Sequence, residues 1–525
     1  MTDTEIESAA GPGGHYETVP YDSMPFAHTQ PANLAALATL FGLTPPPVKT
    51  ARVLELGCAS GGNIIPLAAR FPEAQFTGID LSARHVALGR ARIAAAGLTN
   101  ITLDQGDLAE PGLVTGTFDY IICHGVYSWA PPAAQQGILK IFGRNLSPAG
   151  LAYVSYNVLP GWRLRQVIRD IFCLHTDQAG GPLEQVAQGR ALLERLAAAS
   201  REETPYGQLL RLEAKQLAAM PDSYILGEFL SAENAPCSFG DFMARASGAG
   251  LDYLCDTDLH TALPQLVSPD MDQLVKELAG SDPVSAGQTL DFVLGRQFRQ
   301  SLLCRTDNPD AIRRDARPER IAGLHFASEL RLVPGESRDD ALILRDRQKR
   351  TITTNDALVA RTLDRLGAVW PETLPLADLL DDPAVIQGIP RDRAAERITG
   401  SLLRVIVSKL ASMSAVPLKV GKAAADKPSA WPIARSELHA GQTWTTSQRH
   451  APLRLDAVSA VLVPMLDGSN DRAALVSHLL RLIEAGRLDA ALIAAAPGGD
   501  RTAKARQLID RALLQLEQLA LLEPN

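Results

Sequence analysis

From residue 51 to residue 157, short apolar runs alternate with stretches whose apolar positions recur at helical spacing. Arg52–Leu56 is nearly continuous in apolar residues and closes on Glu-Leu-Gly, which predicts a strand buried on both faces of a parallel sheet. The segment from Gly61, GGNIIPLAARFP, predicts a helix, with Pro66 tolerated because it falls in the first turn. A second strand is expected over 75–79, ending at Asp80; Ser82 then caps a helix that runs to Ala96 and stops at Gly97. A third strand over 100–103 leads to Asp107, a fourth spans 118–123, and a helix follows around 137–146. Ser-Pro-Ala-Gly then turns the chain into a fifth strand, LAYVSYN. Such βα alternation predicts an α/β fold with a Rossmann-like, doubly wound sheet whose ligands bind beyond the carboxyl ends of the strands.

The flanks differ in pattern. Residues 1–15 are small and polar, YETVPYDSMPFAHTQP reads as an irregular segment packed on a domain, and NLAALATLFGL reads as a helix halted by Gly42 and the prolines at 45–47. The expected division is therefore an N-terminal segment and helix over 1–47, covering the binding site, and a sheet domain over 48–306. After Trp162 the chain becomes rich in Leu and Ala at helical spacing, expected as a helical insertion over about 163–235. LDYLCD and FRQSLLCR then read as two strands closing the sheet as an antiparallel hairpin, with helices inserted around them. Beyond 307 a faint internal echo relates LVARTLDRLGAVWPETLPLADLL to SAVLVPMLDGSNDRAALVSHLL. It predicts two mainly helical, winged-helix-like domains, 307–420 and 421–525, with KVGKAAADKPSAWP as a linker between them.

Composition narrows the function. A chain of 525 residues exceeds what one hydrophobic core supports, so several domains are expected. A net charge of −8 is mild for that size and leaves no electrostatic footprint for nucleic acid or anionic lipid. The six cysteines are scattered without a CxxC pair or a histidine cluster at ligand spacing, which argues against a metal site and against a disulfide framework. The acidic, polar start is unlike a secretory signal, and no stretch reaches the ~18 apolar residues of a membrane span. A cytoplasmic protein without membrane insertion is expected.

Chemistry concentrates after the first predicted strand, in Glu55-Leu-Gly-Cys-Ala-Ser-Gly-Gly-Asn63. Gly57 and Gly61 let the backbone turn sharply and approach a ligand without a Cβ in the way. Asp80, at the end of the second strand, can accept hydrogen bonds from both ribose hydroxyls of a nucleoside, although it could equally cap the next helix. Asp107 can accept from an adenine amino group while Leu108 offers its amide. The spacing is not the GxGxxG of a dinucleotide site, and Glu55 beside the turn disfavours a polyphosphate. A cofactor with a cationic amino-acid end, S-adenosylmethionine, fits instead. Cys58, Asn63, Leu81 and His124 complete the candidate cofactor-binding set.

The runs VLELGCASGGNIIPLA, GIDLS, FDYIICHGVYSWAP and LAYVSYNVLPGW resemble those of bacterial class I methyltransferases that carry a methyltransferase regulatory domain. Among them the chain is similar to rickettsial protein-lysine methyltransferases that act on outer membrane proteins. The resemblance implies that Tyr21 and Ser23 fold over the cofactor, that Gly57, Asp80 and Asp107 hold it, and it allows a homodimer.

On the acceptor side, His124, Tyr127 and Trp129 follow the fourth strand, while Tyr156, Asn157 and Trp162 end or follow the fifth. Aromatic rings there could line a channel for an alkylammonium, and a phenol or His124 could take its proton. The same aromatics could simply fill the sheet edge. The reading favoured by this sequence is methyl transfer to lysine on a protein substrate. Methylation of a small metabolite or natural product, and a cofactor-sensing module without turnover, are the alternatives.

Overall fold

The computed structural model describes residues 23–176, 180–338, 341–493 and 500–524. Its centre is a seven-stranded sheet in the order β3-β2-β1-β4-β5-β7-β6. The strands are β1 (Arg52–Leu56), β2 (Gln75–Asp80), β3 (Ile101–Gln105), β4 (Phe118–Cys123), β5 (Leu146–Asn157), β6 (Leu251–Asp256) and β7 (Phe298–Arg305). Strands β1 to β5 pair in parallel, and β7 runs antiparallel to both β5 and β6. The chain steps outward from β1 to β3 and then crosses to β4, so strand order reverses between β1 and β4. In such a sheet the crevice opens at the carboxyl ends of those two strands.

Local sequence explains the elements that frame the crevice. Helix α1 (Pro31–Leu40) is apolar nearly all round and is buried between the sheet domain and the C-terminal units. Helix α2 (Ile64–Arg70) begins within the Gly-rich turn, and Pro66 lies in its first turn. Helix α3 (Ala83–Ala96) is capped by the Ser82 hydroxyl and stopped by Gly97 in the left-handed region. Helix α4 (Pro132–Asn145) joins β4 to β5.

Two features differ from the pattern-based reading. The Ser-Pro-Ala-Gly stretch is part of β5, with a register irregularity against β4 where a turn was expected. Residues 419–432 are packed, not a free linker: Val420, Ala423 and Ala430 are buried, and the Gly421 amide donates to the Leu522 carbonyl. The last two strands are antiparallel, as expected, with helices Leu259–Ala262, Pro269–Ala279 and Pro283–Leu294 inserted between them.

The insertion comprises helices Trp162–Thr176, Pro182–Ala199, Pro205–Ala218 and Asp222–Phe229 around a small core that includes Ile168, Phe172, Leu193 and Phe229. The next region combines helices Ala357–Ala368, Leu376–Asp381 and Arg391–Val407 with short antiparallel strands between residues 325 and 414. The last unit sets helices Ala457–Leu462, Arg472–Glu484 and Arg501–Gln518 beside a two-stranded wing, Thr445–Thr446 with Pro452–Leu453. One continuous apolar core runs from Ala32 through the sheet to Leu522, so the C-terminal units pack on the sheet domain.

Candidate active site

The turn after β1 is shaped by backbone conformations that side chains resist. Gly57 has φ 71°, and a Cβ there would lie 2.3 Å from Val126 Cγ2. The Gly57 and Cys58 amides both donate to the Ile79 carbonyl, which ties the turn to the end of β2. Gly61 is also left-handed, at φ 77°. Gly62, not singled out from the sequence, has the tightest surroundings: a Cβ would sit 1.7 Å from the Ser23 carbonyl oxygen. Its amide donates to Ser23 Oγ at 2.8 Å. Ser23 thus lies directly on the turn, while Tyr21 falls outside the described residues. The Gly-Gly doublet was the available signal, since only a residue without Cβ admits a second backbone so close.

Asp80 sits at the crevice with its carboxylate already ordered. Oδ2 accepts from the Ala59 amide at 2.7 Å and Oδ1 from the Ser82 amide at 3.0 Å. The helix cap is supplied by Ser82 itself, so capping is not the work of Asp80. Leu81 beyond it is exposed, an apolar surface next to the carboxylate. Asp107 is half-buried and accepts from the Ala109 amide at 2.9 Å; Leu108 is buried beside it. Cys58 is buried beneath the turn, near Gly78.

Glu55 and Asn63 are both buried, and Asn63 Nδ2 donates to Glu55 Oε1 at 2.7 Å. Glu55 Oε2 has no partner within the protein. Burial pushes the Glu55 carboxyl up to about 8, against the lowering effect of the Asn63 bond. A buried carboxyl oxygen left without a partner in the protein is an acceptor available to a cationic group.

At the carboxyl edge of β4 and β5 the structure gathers a ring cluster around His124. His124 leaves β4 half-buried, and its Nδ1 is 2.9 Å from the Tyr153 hydroxyl. Phe26 packs on His124 with ring centroids 4.0 Å apart, His28 lies 5.1 Å away edge-on, and Phe298 lies 6.2 Å away edge-on. Phe298 opens β7 opposite Asn157 and is 40% exposed, so the cluster has an open side. Burial lowers the pKa of His28 to about 4 and holds His124 well below its ordinary value, so both imidazoles are neutral near pH 7. Asn157 is buried, with its side-chain Nδ2 unpaired.

Tyr127, Tyr156 and Trp162 are placed elsewhere. Tyr127 and Tyr156 are buried in the core on the other face of the sheet, packed on Phe242. Burial raises both phenols, Tyr127 to about 12, which makes them poor proton carriers. The Tyr156 hydroxyl meets Ser301 Oγ, which donates to Asp256 within a buried network that includes Arg296 and Arg299. Trp129 packs edge-on against Trp162, whose Nε1 donates to Asn234 Oδ1. These aromatics fasten the helical insertion and the adjoining helices to the sheet. The residues missed from the sequence were Phe26, His28, Tyr153 and Phe298. Their one legible signal was the side-chain alternation along β5, which puts Tyr153 and Asn157 on one face and Tyr156 on the other.

A seven-stranded sheet with an inserted antiparallel β7, a Gly-rich turn and acidic residues at the ends of successive strands define an S-adenosylmethionine-dependent class I methyltransferase. Comparison with known proteins agrees. Residues 53–150 match the model of a methyltransferase domain, 221–305 that of a predicted methyltransferase regulatory domain, and 426–521 that of a PKMT C-terminal winged helix domain. An uncharacterized protein of Rickettsia prowazekii is 30% identical over 491 residues, covering 90% of this chain and 87% of the relative. A second, shorter uncharacterized protein of the same organism is 37% identical over 232 residues, covering 44% of this chain and 93% of the relative. The structure of PKMT2 from Rickettsia typhi in complex with AdoHcy superposes with a TM-score of 0.83 at 25% identity, covering 96% of this chain and 100% of that one. The chain belongs to the bacterial methyltransferase family that joins a class I catalytic domain to a methyltransferase regulatory domain and a PKMT-type winged-helix domain. Among the described residues no helix is long and apolar enough to cross a membrane, and no cluster of His, Cys, Asp or Glu could hold a metal ion.

Proposed function

We propose that this enzyme transfers methyl groups to lysine side chains of a protein substrate. The observation that carries the reading is the open cluster at the carboxyl edge of β4 and β5, where Phe26, His28, His124 and Phe298 form an aromatic, uncharged lining. The full-length likeness to PKMT2 and the PKMT-type domain at 426–521 support a protein as the source of the amine.

When bound, S-adenosylmethionine supplies an electrophilic methyl group on a sulfonium. The unpaired oxygen of Glu55 would receive the ammonium, Asp80 the ribose hydroxyls, and Asp107 with the Leu108 amide the adenine, with Leu81 as an apolar neighbour. Gly57, Cys58, Gly61 and Asn63 shape the turn beneath, and Ser23 closes over it.

Lysine must reach the methyl carbon as a neutral amine, because an ammonium has no lone pair. A poorly hydrated aromatic lining disfavours the charged form and brings the amine toward neutrality. The lining also aligns the amine for in-line displacement and excludes water. The neutral His124, hydrogen-bonded to Tyr153, orients the amine, and the amine sheds its proton to solvent at the open side beside Phe298. Asn157 offers an unpaired amide donor at the same edge.

The wing residue His450 is buried and the half-buried Arg449 is tied to the Pro371 carbonyl, which supports a structural use of the winged helix over nucleic-acid binding. The homodimer that the family resemblance allows is open to light scattering. The deciding experiment incubates the enzyme with methyl-labelled cofactor and whole bacterial lysate, followed by mass spectrometry. Label on protein lysines supports the assignment; label confined to small solutes or carboxylates overturns it while leaving the cofactor site standing.

A further inference from the structure

The C-terminal wing reaches the cofactor turn. Between its two short strands the chain passes through His450, which has φ 61° and a buried side chain. His450 Nε2 lies 2.8 Å from Asn63 Oδ1. The Phe26 amide also donates to Asn63 Oδ1, at 2.9 Å, and a backbone N–H can only donate, so the oxygen of the Asn63 side chain is identified. His450 must then be the donor, with its proton on Nε2. Thr29 has a single hydroxyl proton, and its better acceptor is the Phe26 carbonyl at 2.9 Å, compared with Asn63 at 3.1 Å. The two lone pairs of Asn63 Oδ1 are thereby filled by Phe26 and His450, and its Nδ2 is turned to Glu55.

A second bridge runs from the same unit. Glu437 accepts from Thr445 Oγ1 and the Thr446 amide at the base of the wing, both at 2.8 Å. It also meets Arg92 at 3.2 Å, and Arg92 donates to the Ser60 carbonyl in the cofactor turn at 3.2 Å.

We propose that the winged-helix unit is a working part of the cofactor site, and that His450 is a positioning residue that sets the Asn63 side chain and so presents Glu55 to the cofactor's ammonium. The proposal rests on the adenosylmethionine reading of the crevice. With His450 absent, Asn63 Oδ1 loses one of two donors, and both Glu55 and the segment bearing Phe26 lose a fixed partner. Cofactor affinity should fall.

Calorimetric titration of the full-length enzyme with S-adenosylhomocysteine tests this. His450→Ala should raise Kd about tenfold, the scale of one lost buried hydrogen bond to a binding carboxylate's partner. His450→Gln, which can donate to the same oxygen, should restore most of the affinity. His450→Phe keeps the ring volume without the donor and should behave like His450→Ala, so this pair decides the matter if the alanine variant fails to fold. In an Asn63→Ala background, His450→Phe should add nothing further, because the effect passes through Asn63. Wild-type affinity in His450→Phe, or a full additional loss in the Asn63→Ala background, overturns the proposal. Absence of binding by the wild-type enzyme would instead strike at the cofactor reading itself.

Discussion

Tyr153 and Tyr156 stand on the same strand and face opposite sides of the central sheet, Tyr153 toward His124 and Tyr156 into the core beside Phe242. Tyr153→Phe should therefore lower kcat several-fold with little change in cofactor Kd. Tyr156→Phe removes only the bond to Ser301 and should cost about 1 kcal/mol of stability with kcat preserved. Steady-state kinetics and thermal denaturation of the two variants check this, and the opposite pattern would move the acceptor to the other face.

Asp80 serves the turn as well as the cofactor, since Ala59 and Ser82 amides both rest on its carboxylate. Asp80→Asn can keep one of those acceptor roles but loses the charge, whereas Asp80→Ala loses both. We expect a larger rise in cofactor Kd for the alanine, corresponding to about 1.5–3 kcal/mol, with an intermediate value for the asparagine. Calorimetry on folded variants gives the order, and equal wild-type affinity in both would remove Asp80 from the site.

Gly62→Ala should be more damaging than its size suggests. The added methyl would meet the Ser23 backbone at 1.7 Å, and backbone cannot swing aside as a side-chain tip can. The segment from Ser23 should lift off the turn, which weakens cofactor binding and exposes the segment to protease. Equal rates of limited proteolysis in the variant and the wild type would speak against this.

Glu55 makes cofactor binding proton-linked. Its folded-state pKa is raised from 4.5 to about 8, so its favourable contribution is present below the unfolded value and is lost as pH rises through the folded one. Between those limits the free protein holds the proton. An arriving ammonium stabilises the carboxylate, and binding should release up to about one proton. Titrations in buffers of different ionisation enthalpy at pH 6.5 measure the release, and Glu55→Gln should abolish it.

Acid should act through His450 with the opposite sign. Burial, helped by the Arg70 charge, lowers its pKa from 6.5 to about 3 in the folded protein. Its contribution is complete above the unfolded value and is lost as pH falls below it, by roughly 1 kcal/mol per pH unit. Chemical denaturation at pH 7 and pH 5 should show that loss, and His450→Phe should remove this residue's share of it while those of His28 and His124 remain.

The legible part of this protein was local. Glu55, Gly57, Asp80 and Asp107 could be placed because each lies at the end of a strand whose apolar run and following helix are visible within a short stretch of chain. The strands between residues 325 and 354 were not anticipated, since three of the four have five residues or fewer, the longer one, RLVPGESR, is mostly polar, and the last alternates between exposed and half-buried positions. The acceptor cluster was half legible. His124 follows β4 and was found, whereas His28 and Phe298 come from an irregular segment and from a strand inserted after long helices.

By itself the sequence determined the class of cofactor and the shape of the Gly-rich turn after β1, because a βα unit sets its own geometry through glycine conformations and strand-end carboxylates. Tertiary structure alone decided which aromatics gather around His124, since the choice depends on which face of β5 is covered by helices. It alone also brought His450 to Asn63, 387 residues away along the chain. No local periodicity encodes such a contact; it exists because one apolar core draws the wing of the last unit onto the first turn of the sheet.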